Sequence, residues 1–97
     1  MQTAMSELAS YIRGLTALLD PGAGWYGEFL RRDPDGVRAC LDGSALPPWD
    51  VLESLLQDLA EVRGPDAAAQ HTRRAAGLRR AAAAGYDRRP GGAEDLR

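Results

Sequence analysis

The chain has no lysine, and among its 97 residues it has one cysteine, one histidine and one phenylalanine. A single cysteine, Cys40, excludes an internal disulfide and fits a reducing cytosol; the residue is expected as a small buried apolar side chain. A single histidine, His71, with no second His or Cys beside it, leaves zinc without a ligand set. It is expected on a partly exposed, alanine-rich helix face. No apolar run approaches the roughly 20 residues of a membrane span. Met1 to Ser10 shows no basic stretch followed by an apolar block, so neither a membrane association nor a secretory signal is expected and the location is read as cytoplasmic. Nothing reads as a strand, which removes the strand-to-helix glycine loops that cradle nucleotides. Catalysis needs convergent polar groups of matched acidity, and none is visible. The expectation is a non-enzymatic protein with no cofactor and no small-molecule substrate. Asp33 and Asp35 read as turn-capping residues rather than as a cation site.

What remains is helical and modest in bulk. One domain is the expectation at this length, with 44% of residues hydrophobic. Alanine supplies much of that fraction, so the core should thin toward the C-terminus. All twelve basic residues are Arg, which together with abundant Ala and Gly points to a GC-rich coding sequence. The net charge of −2 conceals a polarity: residues 1–66 carry five Arg against eleven acids, and residues 67–97 carry seven Arg against three. An acidic body and a basic end are expected.

Apolar periodicity places five helices. Ser6 is expected to cap the first, whose face is Leu8, Ile12, Leu15 and Leu19 with Tyr11 and Leu18. Pro21, Gly22 and Gly24 stop it. A short second helix, Trp25 to Arg32, pairs Trp25 with Phe29 and Tyr26 with Leu30 at i,i+4 spacing. After the turn from Asp33 to Gly36, in which Asp33 also reads as an N-cap, comes a third helix, about Pro34 to Asp42. Val37, Cys40 and Leu41 are its inward residues, and Gly43 ends it. The fourth, Pro48 to Val62, has a wide stripe of Val51, Leu52, Leu55, Leu56, Leu59 and Val62. Gly64 and Pro65 end it. The fifth runs from Asp66 to Ala84 with a thin stripe of His71, Ala75, Leu78 and Ala82. The fold class is an all-α compact bundle of about five helices containing a helix-turn-helix unit. Residues 1–64 form a helix-turn-helix-like domain, 65–84 an Arg- and Ala-rich helix packed on it or extending from it, and 85–97 a flexible tail. Within that tail, 93–97 resembles the first turn of a further helix.

The segment from Val37 to Leu56 resembles the lambda-repressor-like helix-turn-helix domains abundant in actinobacteria. In those domains a short recognition helix precedes a Gly, a basic stretch, a Leu- or Val-Pro-Pro-Trp segment and an apolar helix. Val37, Leu41, Gly43, Leu46, Pro47, Pro48 and Trp49 occupy the matching places, and the resemblance extends over about residues 7–62. It implies a transcription-regulator fold with Trp49 in the core. The base-reading positions depart from the pattern: Gly36 stands where Ser or Thr is usual, Arg38, Ala39 and Cys40 replace Ser-Arg-Tyr, and Ser44 and Ala45 replace the basic loop.

Two readings of function follow. DNA binding would use the third helix and the Arg-rich fifth, with Arg31, Arg32, Arg38, Arg73, Arg74 and Arg80 as candidate contacts and a dimer to double them. Duplex DNA carries one negative charge per about 1.7 Å of axis, and the third helix opens with Asp33 and Asp35. Arg31, Arg32 and Arg38 are offset by those two acids and Asp42. The preferred reading is therefore a small regulatory protein-interaction or adaptor module, bound to a protein partner or a second copy through Trp25, Tyr26 and Phe29.

Overall fold

The computed structural model describes residues 3–88, which form five α-helices and no strand: α1 Ala4–Thr16, α2 Gly24–Arg32, α3 Pro34–Asp42, α4 Trp49–Arg63 and α5 Pro65–Arg88. The expected all-α bundle of five helices is what the chain adopts. Its centre is α4, whose Leu52, Leu55, Leu56 and Leu59 are all buried. They meet Leu8, Ile12 and Leu15 of α1, and Ala75 and Ala82 of α5, in two apolar clusters. Tyr11 and Trp49 pack against both clusters and join them. The alanines of α5 have a packing function: with only a methyl group at Ala75 and Ala82, both fully buried, that helix lies close along α1 and α4.

Several boundaries and faces differ from expectation. Thr3, not Ser6, caps α1, with its Oγ1 accepting from the Ser6 amide at 3.0 Å. This helix stops at Thr16, which leaves Leu18 in the following turn and exposed, while Leu19 folds back into the core. Val62 is 55% exposed although it belongs to the apolar periodicity of α4; the partner helices cover its neighbours Leu55 and Leu59 and leave the last turn open. Helix α5 continues four residues past Ala84, since an isolated Gly85 weakens a helix without ending one. Arg89 and the helical turn expected at 93–97 lie outside the described residues.

The largest departure concerns α2 and α3. A four-residue turn is expected between them, but Asp33 alone separates them, serving as C-cap of α2 and N-cap of α3. Val37, Cys40 and Leu41 do lie on the inner side, with Leu41 packed against the cluster around Leu8 and Ile12, but they are only half-buried and α3 has no buried residue. The helix leans on α1 and α2 and stands off α4. Its C-terminal end is fixed on α1. Gly43, at φ +84°, takes the left-handed turn that side chains resist, directly over Ala9, and Arg13 donates to the Leu41 carbonyl.

His71 is tied down rather than free on the surface. Its Nδ1 lies 2.8 Å from the Tyr11 hydroxyl, which also donates to the His71 carbonyl at 3.2 Å. One phenol thus links α1 to α5, and the Arg74 guanidinium sits 5.9 Å from its ring centre. Burial pushes the Tyr11 phenol above its ordinary pKa of 10.0, partly opposed by the charge of Arg74.

Two consequences are measurable. Leu59 is fully buried, so Leu59→Ala should cost about 2–5 kcal/mol in urea unfolding, whereas Val62→Ala, one turn along the same helix, should stay within about 0.5 kcal/mol. The raised Tyr11 pKa means that the unfolded chain releases this proton first, so stability is retained below pH 10.0 and falls as pH rises through the folded-state value. Denaturation midpoints should therefore drop less steeply above that pH in Tyr11→Phe than in the native chain.

Candidate interaction surface

Helix α2 begins without a capping side chain of its own, because Ala23 precedes it. Four amides at a helix start lack intrahelical partners, and here a carboxylate from another helix meets two of them. Asp58 of α4 accepts from the Trp25 amide at 3.0 Å through Oδ1 and from the Tyr26 amide at 2.9 Å through Oδ2. The negative group also sits at the positive end of the α2 dipole. Gly24 makes the approach feasible: its φ is +63°, and a Cβ there would lie 2.6 Å from Asp58 Oδ1.

This anchorage determines where the three aromatic candidates point. Trp25 is 48% exposed and stacks on Phe29, with ring centres 6.1 Å apart and planes inclined by 29°. Phe29 and Tyr26 turn partly inward and pack against the cluster around Leu15, Leu55 and Leu59. Trp25 is therefore the outward member, supported from behind by Phe29. Beside it lies a shallow hollow formed with Glu28, Arg32, Gln57, Asp58 and Glu61, three carboxylates to one guanidinium.

The six candidate arginines divide into separate groups. Arg31 and Arg32 are exposed, and both pair with Glu28. The Arg31 hydrogen bond and the nearby Arg32 charge hold the Glu28 carboxyl below its usual range. Arg38 lies on the outer side of α3 with Asp35 and Asp42, all three exposed. Asp42 is held low first by hydrogen bonds from the Ser44 hydroxyl and amide, then by the charges of Arg38 and Arg13. Asp33 caps α3, accepting from the Gly36 amide at 3.0 Å. Both carboxylates thus stand at the start of α3, as the sequence implies. On α5, Arg73, Arg74 and Arg80 are exposed, while Arg79 is half-buried and donates through Nε to the Pro47 carbonyl at 2.9 Å. Among the described residues the ion pairs are the two on Glu28, so Arg73 and Arg80 belong to none.

Cys40 is half-buried rather than part of the core. Burial pushes its thiol pKa up, helped by the charges of Asp33 and Asp42. Among the described residues no three His, Cys, Asp or Glu side chains are placed to share a metal ion, and no helix is long and apolar enough to cross a membrane.

Asp58 and Gly24 are the residues of this candidate surface that sequence reasoning misses. Ala23 is the available signal, since a helix start without a capping oxygen calls for one from elsewhere. Which of eleven acids in residues 1–66 supplies it is decided only by the packing of α2 on α4. Removing the cap tests the assignment. Asp58→Ala should cost about 0.5–2 kcal/mol, and the Trp25 and Tyr26 amides should exchange with solvent faster while the amides of Leu55 and Leu59 hold.

Compared with protein-family models, curated protein sequences and solved structures, the chain has no match in any of the three.

Proposed function

We propose that this chain is a small, non-catalytic regulatory module of helix-turn-helix type that works by binding another protein, with the Trp25 edge of α2 as its contact surface. One observation carries the reading: an indole left 48% exposed, backed by a stacked Phe29, on a residue whose backbone amide is held by Asp58. Tryptophan is enriched among residues that dominate binding energy. Holding it on a capped helix reduces the ordering cost of association. The Glu61 carboxylate beside it, in no ion pair among the described residues, favours a partner that brings positive charge. The regulatory setting rests on the resemblance of Val37 to Trp49 to lambda-repressor-like domains. The loss of that family's readout residues, with Asp33 and Asp35 at the start of α3, supports a protein partner over a DNA groove.

A specific observation also favours DNA binding. Arg73 and Arg80 on α5 are exposed and outside any ion pair among the described residues, and Arg74 lies exposed beside them. Guanidinium groups so placed clamp phosphates without reading bases.

Paired variants separate the two readings. A discrete complex recovered from native cytosol should persist with Arg73→Ala/Arg80→Ala and disappear with Trp25→Ala. The DNA reading wins instead if duplex DNA is shifted near about 50 mM salt, the shift weakens steeply as salt rises, and only the arginine variant abolishes it.

A further inference from the structure

The α2–α3 pair is fastened at its two far ends, by Asp58 of α4 at Trp25 and Tyr26 and by α1 at Leu41 and Gly43. Between those fastenings it spans a space it does not fill. A cleft of about 300 Å³ lies under the junction, walled by α1, α2, α3, α4 and the segment before α4. Phe29, Val37, Cys40, Leu46, Val51 and Leu55 define its interior. The backbone above has no slack, because Asp33 is the sole residue between the two helices.

We infer that this cleft binds a small, neutral, apolar molecule of one or two rings. Size gives the first argument. A dry cavity of about 150 Å³ lined by aliphatic and aromatic side chains takes benzene, and ligand pockets begin at about 300 Å³. A helix with its side chains is about 10–12 Å across, so even one turn of a partner helix overfills the space. Charge gives the second. No Arg lines the cleft, and its one carboxylate, that of Asp33, already caps α3 at 3.0 Å from the Gly36 amide. An anionic headgroup therefore finds no counter-charge and meets a carboxylate. Of the hydroxyls on the lining residues, that of Thr16 is spent on the Ile12 and Arg13 carbonyls, which leaves the Tyr26 phenol as the one hydroxyl to offer a hydrogen bond. Aliphatic and aromatic carbon recognises carbon here, and the ligand class follows.

Because the chain has one cysteine and that residue, Cys40, is among those lining the cleft, the protein contains its own reporter. The probe is indole, with indole-3-acetate as the anionic control, and the readout is the rate at which an aromatic disulfide reagent modifies Cys40. Indole at ten times its dissociation constant should slow the modification about tenfold, in a saturable way, and the acetate should protect far less. Val51→Phe, which fills the cleft, should remove the indole effect while leaving the helical circular dichroism intact. Should that variant fail to fold, amide chemical shifts of the native chain decide: indole must move Val37, Cys40, Leu46 and Val51. Unsaturable protection, equal protection by the anion, or shifts confined to Trp25 and Glu61 would each overturn the inference. The last of these would show binding at the exposed indole edge. None of these measurements depends on whether Trp25→Ala loses a protein partner, so the two proposals stand or fall separately.

Discussion

The carboxylate of Asp58 is the contact on which the outer half of the molecule depends. Helices α1, α4 and α5 hold one another through apolar burial, which is non-directional and tolerant of detail. Helix α2 has little of that to draw on: its only buried residue is Gly27. Two directed hydrogen bonds fix its start instead, and through it the orientation of Trp25, the inward turn of Phe29 and the position of Asp33. A buried apolar anchor would hold α2 with rotational freedom about its contact, whereas a carboxylate shared between successive amides fixes the helix axis as well as its location. The glycine before those amides is part of the same device, since any side chain at Gly24 would occupy the space of the carboxylate.

The periodicity of the sequence makes the inner layer legible and the outer layer much less so. Leu52, Leu55, Leu56 and Leu59 recur at helical spacing and are all buried, because a stripe facing two other helices leaves no ambiguity about which side is covered. Val62 follows the same spacing and is exposed, because spacing reports which face a residue occupies and not how far along the axis the neighbours extend. The α3 residues fail for a related reason. Val37, Cys40 and Leu41 share an apolar side, but only Leu41 packs against a core cluster, and all three line a gap between α3 and α4. The pairing of Trp25 with Phe29 is local and could be read from the chain; the division of labour between Trp25 and Tyr26 depends on Asp58, more than thirty residues away.

Charge is arranged by helix rather than simply by end. The two arginines of α2 share a single carboxylate, Glu28, which offsets half of their charge. Arg38 shares the outer side of α3 with Asp35 and Asp42. On α5 three exposed guanidinium groups, those of Arg73, Arg74 and Arg80, occur outside any ion pair among the described residues, while the half-buried Arg79 is diverted to the Pro47 carbonyl. An arginine count drawn from composition therefore overstates the basic surface. The same side chain serves as a backbone clamp at Arg13 and Arg79 and as a ring neighbour at Arg74.

The single-residue joint at Asp33 has a mechanical corollary. With α2 ending at Arg32 and α3 starting at Pro34, the rotational phase of one helix relative to the other is stored in a single φ,ψ pair, −149° and 68°. Each residue of an α-helix advances the chain by about 100° around its axis. That step holds only within a helix, so one residue inserted at this non-helical joint would add a second φ,ψ pair and release the fixed phase of α3 over the gap. A longer joint would leave that phase free; with one residue, the angle between the two helices is set by the same backbone pair that carries the Asp33 cap.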